Sequence, residues 1–600
     1  MAERSITPTA PLTAIGALPP GLLRESRKNL LAGLGLALLA FSLYILPAHW
    51  RPLTETAETR VAVVARGMLR SGDWLVPRLN GEVRAKKPPM PYWLVAAAAQ
   101  TLPSESAYRP VSELSAVLPS AALGAGTVFL VVLFGAHVFG RTAGVWAGFV
   151  LAFSHFFFRF AQTGTGEIPL TFFTTAALFA AGWIVCSKRP GLPAALGLGL
   201  GLGLAILTKW HVPLLVVLLP TVFMALAGRS FNGRKGALFG LGLLIAGGIA
   251  APWALAMHER LPEAVGVMKE EMGDIWTVSG HDQSDRWIYY LYMWLSGVLP
   301  WTPLLLVAVP LGLLRRPEDQ ETHAHERLES NLAKFLIAAV VGMTLVLYAF
   351  PKQQYYYLLP LMPPLALAAG YALSRLNHPG GIREERLAWF LMGLGLVVGT
   401  LVALSPLWVK FLLFPLTVPL GILTVALYWV AARQWVEGNG IGVVLCVGFA
   451  TYACLVGFTM LWTLDQRDRH PLARHADEFA RVLHSAEGQS IRLYAVKPPE
   501  PTEVLLYYLD WERLYTLDDL IEESVDAQGR PRPEPSPHTR ILITKAWLAE
   551  RLGFQEPYDD PYFQELPKNH ADWDWEPLRK LAERARARIP ELPPGSMPSE

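Results

Sequence analysis

Residues 114–138 read LSAVLPSAALGAGTVFLVVLFGAHV, a run without one Asp, Glu, Lys or Arg. A helix crossing a hydrocarbon core of about 30 Å needs about 20 such residues, so the run reads as a transmembrane helix. Backbone N–H and C=O groups in lipid must be bonded internally, which leaves helices and closed barrels. The length of the run, without the strand-length alternation of barrel segments, excludes the barrel. Working outward, comparable runs lie at 30–48, 142–160, 168–186, 191–208, 210–227, 237–256, 293–314, 334–350, 356–374, 388–406, 411–432 and 441–463. The chain is therefore expected to be an all-α polytopic membrane protein with roughly thirteen spans.

Composition agrees. Hydrophobic residues make up 52% of the chain and charged residues 17%, against about a quarter charged in soluble domains. A net charge of +2 gives no electrostatic reason for a nucleic-acid partner. Cys186, Cys446 and Cys454 all fall within expected spans and read as small apolar residues, not as a disulfide framework. Leu30–Ala48 is too long an apolar run for a signal peptide and reads as an uncleaved first span. Residues 196–204 alternate Leu and Gly. Inside so long an apolar run, their small-xxx-small spacing points to close helix packing.

Loop charges set the expected orientation. Arg24, Arg27 and Lys28, then Arg141, Lys188 and Arg189, Arg229, Arg234 and Lys235, Arg315 and Arg316, Arg375, and Arg433 recur on one side. The other side carries mostly single charges, among them Arg159, Lys209, Lys352 and Lys410. By the positive-inside rule the N-terminal segment 1–29 is cytoplasmic. An odd number of spans then leaves the region 464–600 outside. Residues 30–463 would form the membrane domain, with 49–113 as its large first external loop. In the last region Leu472, Ala476, Phe479, Ala480 and Leu483 make a helical stripe, while 491–496 and 541–544 read as strands. A small soluble α/β domain is expected there, with a proline-rich loop at Pro531–Pro537 and a disordered end at Pro590–Glu600.

The first external loop carries the densest signal. Val61, Val64, Ala65, Met68 and Leu69 fall on one face of an amphipathic, interfacial helix. At about 100° per residue, Glu58 lies within about 50° of that stripe, while Arg66 and Arg70 point away. One carboxylate is thus aimed toward the membrane-embedded body. Downstream come Gly72-Asp73-Trp74, Pro77, Asn80-Gly81, Lys87-Pro88-Pro89 and Tyr92-Trp93. The prolines stop the helix and the aromatics suit a headgroup layer, which puts Lys87 near lipid phosphates.

This run, from Glu58 and Arg60 to Trp93, resembles the signature loop of bacterial aminoarabinose transferases of lipid A and, more distantly, the protein O-mannosyltransferases. Arg109, the run Gln162 to Glu167, Leu299-Pro300-Trp301, and Lys352 through Tyr357 to Pro360 extend the likeness. It implies a GT-C-like membrane glycosyltransferase of the bacterial inner membrane, with a polyprenyl-phosphate sugar as donor and a lipid or protein as acceptor. Lipid A modification at the cell envelope is the associated process. An acceptor oxygen would attack the anomeric carbon, a carboxylate would position it or take its proton, and cations would hold the departing phosphate.

The resemblance assigns the catalytic carboxylates to Glu58 and Glu167, with Glu55 in reserve because Ala57 stands where the family has an Asp. Lys87 matches its phosphate-binding lysine, and Arg60, Tyr357, Arg109 and Lys352 fall near the donor. Lys86 stands where the aminoarabinose enzymes often have a metal-binding Glu, so neither a metal nor another cofactor is expected here, and His281 is left as half of a lost pair. Two other classes compete: a lipid transporter or flippase, and a catalytically decayed scaffold. The spans contain almost no Asp or Glu and no repeat, which disfavours a transporter.

Overall fold

The computed structural model describes residues 20–469, 491–495, 506–508, 513–516 and 539–543, apart from 54, 85–86, 103, 105–108, 229–231, 263–265, 267–285, 303–304, 307–322, 350–353, 377–383, 408 and 410–413. Lys86, His281, Lys352, the expected helical stripe at 472–483, the proline-rich loop and the C-terminal end lie outside the described residues.

The chain is a multi-pass helical membrane protein. In order, its helices are α1 (Pro20–Ile45), α2 (Thr56–Ser71), α3 (Met90–Thr101), α4 (Glu113–Phe139), α5 (Arg141–Ala152), α6 (His155–Ala161), α7 (Glu167–Cys186) and α8 (Leu192–Ile206). They continue as α9 (Val212–Gly228), α10 (Gly233–Arg260), α11 (Arg286–Gly297), α12 (His323–Ala349), α13 (Met362–Leu376), α14 (Glu384–Leu404), α15 (Phe414–Val436) and α16 (Gly440–Arg469). A 3-10 turn, Tyr355–Leu361, leads into α13. Among the described residues nine helices are long and apolar enough to cross a membrane, or ten with the bent pair α5–α6 counted as one. The sequence count of roughly thirteen also included α8 and α9, of 15 and 17 residues, and a span at 293–314 that is described only in part. At about 1.5 Å per residue, α8 is too short to cross alone.

Local chemistry explains the boundaries. Ser112 caps α4 by accepting the Ser115 N–H at 3.2 Å, and Asn232 caps α10 by accepting that of Lys235 at 3.0 Å, satisfying donors that a first turn leaves free. Gly72 ends α2 at φ +69°, its N–H returning to the Met68 carbonyl at 3.0 Å, a left-handed cap that glycine adopts without strain. The α8 glycines do what their spacing suggests. A Cβ on Gly199 would lie 2.6 Å from Ile245, and one on Gly201 would lie 2.7 Å from the Ala177 backbone. Small residues therefore let α8 sit close against both α10 and α7.

The expected continuous span at 142–160 is instead broken, with α5 and α6 meeting at 65°. Ser154 Oγ donates to the Val150 carbonyl, and the His155 N–H leaves the helix to bond the Leu299 carbonyl at 2.8 Å. A side-chain hydroxyl and one distant carbonyl thus take up backbone groups where the helix turns.

The C-terminal strands are β3 (Ile491–Ala495), β4 (Leu514–Thr516) and β5 (Thr539–Ile543), after the two-residue pair β1 (Arg78–Leu79) and β2 (Glu82–Val83) of the first loop. The three form a parallel sheet in the order β4-β3-β5. Two of them are the strands read from sequence.

Helix α2 corrects another expectation. Val61, Val64, Ala65 and Met68 of its stripe are buried, but so are Ala62, Val63 and Arg66 on other faces. Residues 506–508 cover it: Arg66 donates to the Leu506 carbonyl at 3.0 Å, and Tyr508 Oη accepts the Leu53 N–H at 2.7 Å. The helix is sandwiched between the bundle and the C-terminal region, so Arg66 points away from the stripe without reaching water.

Candidate functional site

One end of the bundle gathers the end of α1, the starts of α4, α7 and α13, the end of α8, and the first loop. Two carboxylates from the sequence motifs sit there in different surroundings.

Glu58, in the first turn of α2, is fully buried. Arg51 donates to both of its oxygens, at 2.5 and 3.0 Å, and the Gly164 N–H bonds Oε1 at 3.0 Å. Arg51 also reaches the Gln162 carbonyl at 3.0 Å, and Gln162 returns to the Leu43 carbonyl at 3.2 Å. The helical wheel aimed this carboxylate correctly at the body of the protein. Its oxygens are occupied, however, so the geometry is that of an anchor joining α1, α2 and the 162–166 loop, not of an open proton acceptor. A bidentate guanidinium pair of this kind is also among the stronger charge-assisted contacts.

Glu167 opens α7, where a carboxylate is favoured by the free N–H groups and the dipole. It pairs with Lys209, whose Nζ lies 3.2 and 3.3 Å from its two oxygens. Lys209 follows the C-terminus of α8, the end that favours a cation. Its ammonium sits 4.8 Å from the Tyr356 ring centroid and 4.6 Å from that of Tyr357, within range of attraction by both ring faces.

Close packing brings Lys87 to this pair. The Met90 N–H bonds the Leu207 carbonyl at 3.1 Å, and a Cβ on Gly166 would lie 2.7 Å from Pro91. The loop is thereby held across the end of α8 and the start of α7. Lys87 is half-buried. Burial pushes its ammonium down to about 8, Lys209, Arg84 and Arg60 push the same way, and Glu167 opposes them. Among the described residues, the charges that act on Lys87 are thus three further cations and the Glu167 carboxylate. Such a cluster is costly by itself and favours an anion.

The remaining site residues divide. Tyr357 is beside Lys209, as stated. Arg109 is elsewhere: it pairs with Glu113 at 3.1 Å, and its guanidinium lies over Tyr507 and Tyr508 at 5.7 and 5.8 Å. It therefore braces the C-terminal region against the start of α4. Lysine 209 escaped the sequence reading. Its signal was there, a lone Lys between two apolar runs, where a charge is expensive unless paired or used. Arg51 and Arg159 were missed in the same way. Arg159 of α6 donates to Glu55 at 2.9 Å and lies 5.8 Å from the Tyr355 ring.

Residues 86–255 match the family described as dolichyl-phosphate-mannose-protein mannosyltransferase. The chain is 29% identical over 370 residues to the undecaprenyl phosphate-alpha-4-amino-4-deoxy-L-arabinose arabinosyl transferase of Pectobacterium atrosepticum, covering 60% of this chain and 62% of that one. The Pseudomonas aeruginosa protein of the same name is 28% identical over 402 residues, 62% of this chain and 65% of its own. The chain thus spans somewhat under two thirds of these relatives. ArnT from Cupriavidus metallidurans bound to undecaprenyl phosphate superimposes with a TM-score of 0.65 at 18% identity, over 86% of this chain and 94% of that one. The chain therefore resembles the bacterial aminoarabinose transferases in sequence over about three fifths of its length, and it has the GT-C fold of one of them.

Proposed function

We propose that this protein is a membrane glycosyltransferase that moves a sugar from a polyprenyl-phosphate donor to a hydroxyl or phosphate of a lipid or protein acceptor. The observation that carries the reading is the Lys209–Glu167 pair beside Tyr356 and Tyr357, with Lys87 close enough to feel both charges as well as those of Arg60 and Arg84. A polyprenyl-phosphate sugar fits this arrangement: the cations meet its phosphodiester anion, the ring faces meet its sugar, and apolar helices lie alongside for the polyprenyl chain. As the bond from the anomeric carbon to the phosphate oxygen breaks, negative charge grows on that oxygen. Cations already in place stabilise it without reorganisation. The acceptor oxygen forms the new bond on the opposite face. Glu167 orients Lys209, while Glu58 fixes the loop that carries Glu167. Tyr357 borders the donor, and Lys352 is kept as a donor residue on the sequence resemblance alone. The positive-inside pattern of the loops supports an orientation with this end of the bundle outside the cytoplasmic membrane, the N-terminus cytoplasmic and the C-terminal domain external.

The test is turnover by purified protein of undecaprenyl phosphate carrying 4-amino-4-deoxy-arabinose, the donor named for the relatives, with undecaprenyl phosphate as the measured product. Release in wild type and its loss in Lys87→Met are expected. Unchanged donor, moved across liposome bilayers without cleavage, would instead favour a flippase.

A further inference from the structure

When the acceptor is a hydroxyl, its proton needs an acceptor, and with Glu58 sealed and Ala57 carrying no acid neither of those positions supplies one. We infer that Glu55 is the general base, held by Arg159, and that the three tyrosines Tyr355–Tyr357 form the platform between it and the phosphate site. This rests on the transferase reading above.

Glu55 and Glu58 lie one turn apart at the start of α2, and the Glu58 N–H bonds the Glu55 carbonyl at 2.9 Å. Their carboxylates face different partners. Both Glu58 oxygens are taken, whereas Glu55 uses Oε1 for Arg159, and its Oε2 has no hydrogen-bond partner among the described residues. The Glu55 side chain is 39% exposed and that of Glu58 is 0%. An open, oriented oxygen is what a general base requires.

The tyrosines relate this oxygen to the phosphate site. Arg159 lies over Tyr355 at 5.8 Å. The ring of Tyr355 is 5.8 Å from that of Tyr356, which is 5.0 Å from that of Tyr357, and Lys209 lies over the last two. One ion pair therefore stands at each end of a short aromatic strip. Displacement at an anomeric carbon requires the nucleophile opposite the leaving oxygen. A sugar lying on the strip, with its phosphate at Lys209 and Lys87, turns its other face toward Glu55. In the step, the acceptor oxygen bonds the anomeric carbon and its proton passes to Glu55 Oε2. The carbon–oxygen bond to phosphate breaks, and undecaprenyl phosphate leaves with the electron pair.

Azide separates a base from a structural role, because it attacks carbon without a proton to lose. The donor is undecaprenyl phosphate 4-amino-4-deoxy-arabinose, incubated with the full-length protein and either water alone or added azide. Free sugar reports attack by water and glycosyl azide reports attack by azide. In Glu55→Ala and Glu55→Gln, the ratio of glycosyl azide to free sugar should rise by about a hundred-fold or more over wild type, the contribution typical of a general base. In Glu58→Gln, which loosens the loop, both products should fall together at an unchanged ratio. An unchanged ratio in both Glu55 variants, with wild type active, overturns Glu55 as base and leaves the transferase reading standing. No product of either kind from wild type overturns the transferase reading, and this inference with it.

Discussion

Two ion pairs at the same end of the bundle differ in their access to solvent. Arg51–Glu58 is sealed, with side chains 4% and 0% exposed. Lys209–Glu167 is partly open, at 17% and 12%, and adjoins further cations. In the first, charges and hydrogen bonds are mutually satisfied and nothing is left to recruit a ligand. In the second, positive charge is in excess and ring faces line the approach. A buried ion pair alone is poor evidence for either stability or function. The surroundings decide which pair anchors and which serves.

Breaking the sealed pair should have the largest effect. Arg51→Met leaves the Glu58 carboxylate buried and unpaired, a loss of about 3–5 kcal/mol. Thermal unfolding in detergent should show it as a large fall in Tm, and Arg51→Met with Glu58→Met should recover most of the loss. If the single change is silent, the pair is not an anchor.

The C-terminal brace on that side comes next. Tyr508→Phe removes the acceptor for the Leu53 N–H, which is buried two residues from Arg51. An unsatisfied buried donor costs about 1–3 kcal/mol. Burial pushes the Tyr508 phenol well above its ordinary range, so the group stays neutral and the loss should be the same at pH 6 and pH 9. A loss that grows with pH in that interval would contradict this assignment.

At the open pair, Lys209→Met should cost less stability than Arg51→Met, because Lys87 remains near Glu167, yet weaken undecaprenyl phosphate binding about ten-fold or more, as losing a charge-assisted contact does. Calorimetry with both variants of the comparison, Lys209→Met and Arg51→Met, shows whether stability and binding separate.

The smallest signal is in protons. Lys87 has its pKa lowered to about 8, so it is largely charged at pH 7 and largely neutral at pH 9. A bound phosphate raises that value again. Binding at pH 9 should therefore take up close to one proton, and binding at pH 7 almost none, as read from calorimetry in buffers of different ionisation heat. Lys87→Arg, which stays charged, should remove the difference.

Periodicity and turn chemistry made much of this legible. The apolar runs gave most spans, the small residues of α8 gave its close packing, and the α2 stripe gave the direction of Glu58. What the sequence hid were partners distant along the chain. Glu167 and Lys209 are separated by 42 positions, and Arg66 and Leu506 by 440, so no local pattern announces either contact. The break between α5 and α6 was invisible because residues 149–161 contain no Gly or Pro, and the freed His155 N–H finds its partner in distant Leu299. Glu58 shows a subtler limit. A wheel gives a side chain's direction, but whether it meets an arginine or open space depends on Arg51, which lies outside α2 and so is not on its wheel.

On this reading Lys87 and Lys209 form the phosphate seat. Titration of purified protein with undecaprenyl phosphate, followed by native mass spectrometry, tests it most directly. Stoichiometric binding to wild type, lost in Lys87→Met with Lys209→Met while Tm is kept, is the predicted result. Equal binding by wild type and that double variant would contradict it.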